Sequence, residues 1–72
     1  MNNLNVAKIQ LNADPYEVIN GTNLNELLNK LKLQKNKIAI EVNGEIIEKS
    51  KYPNLILRRD DKVEIVHFIG GG

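Results

Sequence analysis

The chain has 72 residues, ten lysines and arginines against nine aspartates and glutamates, one histidine and no cysteine. This length holds one hydrophobic core, which predicts a single domain over residues 1–72, and a net charge of +1 gives no electrostatic case for binding nucleic acid. The missing cysteines exclude a disulfide framework, a thiolate metal site and a cysteine nucleophile, and a single histidine excludes a histidine metal cluster.

The first predicted elements are two strands. Apolar residues occupy every second position of Ala7–Leu11, the period of a strand with one buried face. Asn12–Pro15 is predicted to be a turn, because aspartate bonds its own backbone and proline fixes φ. Tyr16 and Val18 then alternate with Glu17, although Ile19 breaks the pattern, and this predicts a second strand paired with the first as a hairpin.

An amphipathic helix follows. Four leucines share the spacing i, i+3, i+4 and i+7: Leu24, Leu27, Leu28 and Leu31. This spacing forms one apolar stripe along a helix, so the helix is predicted to lie on a sheet. Thr22 is predicted to cap the free amides of its first turn with the side-chain hydroxyl.

A second hairpin is predicted after the helix. Ile38–Val42 alternates up to Asn43-Gly44, a strong hairpin signal because both residues accept positive φ. Glu45–Glu48 is the predicted returning strand. Ser50 is predicted to cap a short helix that has Pro53 in its first turn.

The final strand is predicted at Lys62–Ile69, after a polar bend at Arg59–Asp61. The element order is therefore β-β-α-β-β-(short helix)-β. If the last strand lies beside the first, both are buried and the leucine stripe covers one face of the sheet. The sequence thus predicts an α+β architecture of the β-grasp type, with a mixed sheet of about five strands packed on one helix.

Few side chains offer catalytic chemistry. Asp60 and Asp61 are adjacent in the predicted bend and point apart there, so they are interpreted as solvated. His67 is a candidate general base, but the sequence assembles no nucleophile with it. The chain is therefore not expected to be an enzyme.

The C-terminal segment is the candidate functional region. Alternation places Val66 and Phe68 on the face opposite the predicted core residues of the last strand, and exposed apolar groups usually indicate a partner. Gly70, Gly71 and Gly72 follow as a predicted flexible tail that lacks Cβ atoms.

Such a tail can thread a narrow channel and deliver the α-carboxylate of Gly72 into the active site of another protein. Val66, Phe68 and Ile69 are predicted to dock outside that channel. Gly70 and Gly71 are predicted to bind inside it. A carboxylate is a poor electrophile and requires activation, most simply as an acyl-adenylate. The activating partner has to hold the nucleotide, because this chain has no phosphate-binding loop.

Two motifs resemble a known family. Asn43-Gly44-Glu45-Ile46 and the terminal segment Lys62–Gly72 closely resemble the ThiS family of sulfur carriers in thiamine biosynthesis, over about residues 8–72. The chain departs from this family at Arg59-Asp60-Asp61, where relatives commonly have glycine, and in its longer leader, Met1–Val6. Asp tolerates the left-handed backbone that such a bend requires.

The resemblance implies a ubiquitin-like β-grasp protein that binds no cofactor itself. It implies that an E1-like adenylyltransferase of the ThiF type, using ATP and Mg²⁺, adenylates the carboxylate of Gly72. Sulfur from a persulfide donor then converts the adenylate to a thiocarboxylate. This thiocarboxylate donates its sulfur to thiazole synthase of the ThiG type, so the chain is a protein co-substrate.

Two other functions stay open at this point. The small subunit of molybdopterin synthase shares the fold and the terminal Gly-Gly, although it tends to lack the Asn-Gly-Glu-Ile hairpin. A ubiquitin-like modifier would use the same adenylation and transfer the acyl group to a lysine amine.

The sequence predicts no membrane partner. Its apolar runs are far shorter than the roughly 20 residues that a membrane helix requires. Met1–Val6 carries neither a basic region nor an apolar region of a secretory signal, so the cytoplasm or an organelle interior is the expected location, and the cytoplasm is predicted.

Overall fold

Five strands and one α-helix form the framework of residues 5–68, the part of the chain that the computed structural model describes. The elements in chain order are β1 (Val6–Leu11), β2 (Asp14–Ile19), α1 (Leu24–Leu31), a 3₁₀ turn (Lys35–Lys37), β3 (Ile38–Val42), β4 (Glu45–Ile46), a 3₁₀ helix (Lys49–Asn54) and β5 (Lys62–His67). The strand order is β2-β1-β5-β3-β4. The pair β1–β5 is parallel and the other pairs are antiparallel, which confirms the predicted mixed sheet.

The first hairpin has a tighter turn than predicted. Asn12 and Ala13 have φ of 50° and 74° and form the whole connection. Asp14 and Pro15 already belong to β2, so the predicted four-residue turn is wrong. Pro15 is tolerated there because β2 is an edge strand, which need not donate from every residue.

The helix begins with a capping box on Asn23. The side-chain oxygen of Asn23 accepts from the backbone N–H of Glu26 at 2.9 Å, and the Glu26 carboxylate accepts from the backbone N–H of Asn23 at 3.0 Å. The predicted cap, Thr22, is therefore wrong by one residue. Its hydroxyl instead donates to the carbonyl oxygen of Ile19 at 2.6 Å.

The second hairpin confirms the predicted turn. Asn43 and Gly44 have φ of 53° and 86°, as the Asn-Gly pair indicates. The returning strand is shorter than predicted, because β4 covers Glu45–Ile46 only, and a further bond joins the N–H of Ile47 to the carbonyl of Ile40 at 3.0 Å.

The helical segment after β4 differs in its start from the prediction. The 3₁₀ helix runs over Lys49–Asn54 and follows Glu48, with no side-chain cap, so the predicted capping role of Ser50 is wrong. Pro53 stands near the end of this helix instead of in its first turn. The segment is positioned by the buried ring of Tyr52 and not by a cap.

The bend before β5 is a hydrogen-bonded turn. Asp60 has φ of 71°, the left-handed conformation expected there. The Asp61 carboxylate accepts from the backbone N–H of Arg58 at 2.8 Å and from the side-chain amide of Asn43 at 3.0 Å. Asp60 is therefore solvated as predicted, whereas Asp61 ties the bend to the second hairpin.

The core lies between the helix and one face of the sheet. No polar or charged side chain except that of Tyr52 is buried in the described part of the chain, and thirteen residues make up the core: Ala7, Ile9, Val18, Leu24, Leu27, Leu28, Ile38, Ile40, Val42, Tyr52, Leu57, Val63 and Ile65. None of the helices in residues 5–68 is long and apolar enough to cross a membrane.

Tyr52 is the residue of the described core whose side chain carries a polar group. Its ring is fully buried and its hydroxyl makes no hydrogen bond with the described residues. Burial raises the pKa of the Tyr52 phenol. The backbone of Ile40 is near enough to offset part of this pKa shift, although the geometry is not that of a hydrogen bond.

Replacing Tyr52 with phenylalanine is expected to leave the free energy of unfolding unchanged or to raise it, because an unsatisfied hydroxyl is removed. The free energy of unfolding of the wild type should fall as the pH rises above about 10, the ordinary tyrosine pKa. Above this pH the phenol ionises freely in the unfolded state, whereas its raised pKa keeps it protonated in the folded state. Urea unfolding from pH 8 to 11 should show this loss in the wild type and a smaller loss in Tyr52→Phe. Equal pH dependence of the two would contradict the expectation.

Candidate docking site at the C-terminal strand

β5 divides its side chains between two faces. Val63 is fully buried and Ile65 is 8% exposed, whereas Val66 and Phe68 are 60% and 59% exposed. The face predicted for Val66 and Phe68 is therefore confirmed. Ile69, Gly70, Gly71 and Gly72, which carry the remaining predicted site positions, lie outside the described residues.

Val66 and Phe68 belong to a larger apolar surface on the side of the sheet away from the helix. Ala39 is the register partner of Val66 on β3, and Ile46 of β4 is 75% exposed. Ala39, Ile46 and Val66 line a shallow cavity of about 80 Å³. We call Ala39, Ile46, Val66 and Phe68 the docking patch.

Phe68 is fixed by backbone and side-chain contacts. Its N–H donates to the carbonyl oxygen of Lys37 at 2.9 Å, which extends the β3–β5 ladder by one residue. The Nζ of Lys49 lies 5.5 Å from the centre of the Phe68 ring and donates to the carbonyl oxygen of Ile38 at 3.0 Å. A cation over a ring face attracts the ring, by about 0.5–1 kcal/mol at an exposed site.

One end of the docking patch is acidic. Glu41 and Glu64 are direct register partners across β3 and β5. Like charges in this arrangement repel each other and destabilise the sheet. Together with Asn43, Gly44 and Lys62 they line an open groove of about 410 Å³. A partner that covers the docking patch therefore meets apolar groups beside a pair of carboxylates.

The described residues form no catalytic constellation. His67 is exposed at the end of β5, and no group of three or more potential metal ligands occurs within residues 5–68. The Asp61 carboxylate is engaged in the bend. What this region offers is an exposed apolar surface on the strand that leads to the C-terminal segment.

Sequence reasoning missed part of the docking patch. Ala39 could have been placed there, because the alternation of Ile38–Val42 sets it opposite the buried isoleucines. Ile46 gave no such signal, since Ile46 and Ile47 are adjacent and only one of them faces the open side. The contact of Lys49 with Phe68 joins residues 19 positions apart and left no pattern in the sequence.

Comparison with known proteins identifies the family. The model of the ThiS family matches residues 9–72. The sulfur carrier protein ThiS of Bacillus subtilis is 41% identical over 49 residues, which cover 68% of this chain and 74% of that protein. The crystal structure of the thiamine biosynthesis protein ThiS from Geobacter metallireducens superposes with a TM-score of 0.78 at 32% identity, and the match covers 90% of this chain and 99% of that one.

A longer relative also matches. A thiazole synthase of Magnetococcus marinus is 42% identical over 65 residues, which make up 90% of this chain and 20% of that protein. The chain thus spans about a fifth of the length of this relative. The range matched by the family model includes both the second hairpin and the C-terminal segment. The chain belongs to the ThiS family and has its ubiquitin-like β-grasp fold.

Proposed function

We propose that the chain is a sulfur carrier of thiamine biosynthesis whose functional group is the α-carboxylate of Gly72. The observation that carries this proposal is the docking patch on the strand that leads to the glycine segment, in a chain of the ThiS family. The patch supplies binding surface, and the glycines supply a slender chain for a partner's channel.

The first proposed step is adenylation by an E1-like adenylyltransferase of the ThiF type. The carboxylate oxygen of Gly72 attacks the α-phosphorus of ATP, which forms an acyl-adenylate and releases pyrophosphate. Mg²⁺ in that partner neutralises the phosphate charge. This reaction belongs in the cytoplasm, where ATP is available, and the carrier is the substrate of the enzyme and not a catalyst.

The second proposed step introduces sulfur. The terminal sulfur of a partner's persulfide attacks the acyl carbon and AMP leaves, which gives an acyl disulfide. A thiol then attacks the cysteine sulfur of the donor in this S–S bond, which forms a new disulfide with the donor and releases the thiocarboxylate of Gly72. The two electrons for this S–S cleavage come from the thiol.

The third proposed step is delivery of sulfur to thiazole synthase. A thioacid is ionised at neutral pH, and its polarisable sulfur is a stronger nucleophile than a carboxylate oxygen. The sulfur attacks an electrophilic carbon of the substrate bound to that enzyme and forms a C–S bond. Water then cleaves the bond between this sulfur and the acyl carbon, which leaves the sulfur on the substrate and restores the carboxylate of Gly72. The occurrence of a similar sequence within a thiazole synthase of Magnetococcus marinus supports this choice of acceptor.

Intact-mass spectrometry of the protein purified from its source tests the proposal. A population heavier by the difference between sulfur and oxygen supports a carrier. Larger species in which the chain is joined to lysines would support a ubiquitin-like modifier instead. Loss of the gene should create a thiamine requirement; a molybdenum-cofactor requirement with thiamine independence would refute the thiazole assignment.

Phe68→Ala is expected to weaken binding to the adenylyltransferase by about 1 kcal/mol or more, as for an interface anchor, with little change in stability. The ring is 59% exposed, so its loss removes little core packing. Titration calorimetry and thermal unfolding measure the two effects. Ile19→Ala is the matched control, because Ile19 is 63% exposed on the edge strand β2, away from the docking patch. Unfolding of Phe68→Ala, or equal binding losses in both variants, would contradict the assignment.

A further inference from the structure

The polar groups of the β5 backbone alternate between its two neighbours. The N–H of Phe68 points to β3, where it donates to Lys37. The N–H of Ile65 points the other way, to the side-chain oxygen of Asn12 at 2.8 Å. Because this alternation has a period of two residues, the N–H and carbonyl of His67 also point away from β3.

The strand on that other side, β1, ends before β5 does. The N–H of Gln10 donates to Asp61 and the N–H of Asn12 donates to Val63, in the regular spacing of a parallel ladder. At Asn12 the backbone turns into the left-handed region and leaves the sheet. Its side-chain oxygen then takes the place of the next strand carbonyl and accepts from Ile65.

Beyond Asn12 the position beside β5 is free. Within residues 5–68, the β1–β5 pairing ends at Leu11 and Val63, and no strand residue stands on the β1 side of the carbonyl of Ile65 or of the N–H and carbonyl of His67. We call these three groups the β5 edge. A single residue of an added strand satisfies two of them, because its N–H reaches Ile65 while its carbonyl reaches the N–H of His67.

The β5 edge lacks the usual protection of exposed strands. Proteins blunt edges with proline, lysine, bulges or very short strands. The outer strands of this sheet follow that rule, since β2 contains Pro15 and β4 has two residues. The β5 edge is also short, but it contains no proline, lysine or bulge, and it lies directly beside the docking-patch residues Val66 and Phe68.

The start of β1 lies far from the β5 edge. Asn5 stands at the far end of β1, where its carbonyl accepts from Asn20. Roughly 30 Å of strand separates Asn5 from the level of His67, at about 3.3 Å per residue.

We propose that the β5 edge pairs with an extended backbone segment of the ATP-using protein that activates the tail, an inference that rests on the proposed function. A channel that binds Gly70, Gly71 and Gly72 has no side chains to grip and must hold them through backbone groups. A segment that does so runs alongside the chain, and three residues before Gly70 it enters the open position beside His67. Strand addition then aligns the tail while the docking patch binds beside it.

Two substitutions at position 67 isolate the backbone donor. His67→Pro removes the N–H and puts the proline ring into the open position, without removing a bond to β3. His67→Ala removes the same imidazole and keeps the N–H. With the ThiF-type adenylyltransferase of the same organism, ATP–pyrophosphate exchange should show a KM for His67→Pro at least tenfold above that of His67→Ala. Equal KM values in two folded variants overturn the proposal.

Amide hydrogen exchange on the wild-type protein needs no variant. The N–H of His67 should exchange at least tenfold more slowly when the adenylyltransferase is bound, whereas it exchanges freely in the isolated carrier. Normal adenylation with an unprotected His67 amide overturns the edge pairing and leaves the carrier function standing. No adenylation of the wild type overturns both. Concentration-dependent protection without the enzyme assigns the edge to a second copy and overturns the proposal.

Discussion

Removal of Gly72 is expected to abolish adenylation while the fold is retained. The shortened chain ends in a carboxylate displaced by one residue, and a misplacement of even 1 Å can cost about 100-fold in rate. The last buried residue of the described chain is Ile65, so the deletion removes none of the described core residues. ATP–pyrophosphate exchange with the adenylyltransferase measures the first effect, and thermal unfolding measures the second.

Deletion of Asn2 is the matched control for this experiment. It shortens the chain by one residue at the opposite end and leaves the C-terminal carboxylate in place. This variant should be adenylated at the wild-type rate. Retained adenylation without Gly72, or a large fall in melting temperature on its removal, would show that the terminal glycine has a different role from the one proposed.

Leu28→Ala is expected to have the opposite pattern, a large loss of stability with normal adenylation per folded molecule. Leu28 is 3% exposed in the leucine stripe of α1, and truncation of a buried leucine costs roughly 2 to 5 kcal/mol. A domain of this size has only a few kcal/mol of net stability, so the variant loses much of it. Urea unfolding at 15 °C measures the loss.

Leu31→Ala provides the comparison within the same helix. Leu31 is half-buried at the margin of the core, so the same substitution leaves a smaller cavity and should cost less. Adenylation of both variants, measured where they are folded, should match the wild type. Equal losses in the free energy of unfolding at the two positions would contradict the difference in burial between Leu28 and Leu31 that the structure shows.

Burial patterns were the part of this fold that the sequence predicted well. The leucine stripe, the alternation of β1 and the two faces of β5 are each set by which side chains avoid water, and that preference is local to the element. The Asn43-Gly44 turn was equally predictable, because its φ values depend on those two residues themselves.

Caps and turn lengths were predicted less well, because contacts between distant segments decide them. Thr22 and Asn23 are both good capping residues, and the segment that returns after the 3₁₀ helix selects between them. The N–H of Leu57 donates to the carbonyl of Thr22, and the N–H of Leu24 donates to the carbonyl of Leu55. These bonds hold the chain so that Asn23 stands at the cap.

The docking patch was also predicted only in part, because some of its residues are placed by local pattern and others by contacts between distant segments. Val66 and Phe68 were predicted from alternation within one strand. Ile46 joins them only through the pairing of β4 with β3 and of β3 with β5, which one-strand alternation does not reveal. The role of Asn12 beside Ile65 joins residues 53 positions apart, and no local pattern signals it.

The early ends of β1 and β4 give the sheet a tapered outline. At the level of Val63 it is five strands wide, and at the level of His67 only β3 and β5 remain in its plane. With strands about 4.8 Å apart, the distance between the outermost strands narrows from about 19 Å to about 5 Å. The sheet therefore narrows towards the end of β5 from five strands to two. Under the proposed function, a partner with an entrance two strands wide would admit the end of β5 and exclude the broader part of the sheet, so the width of the sheet would set how far the chain enters.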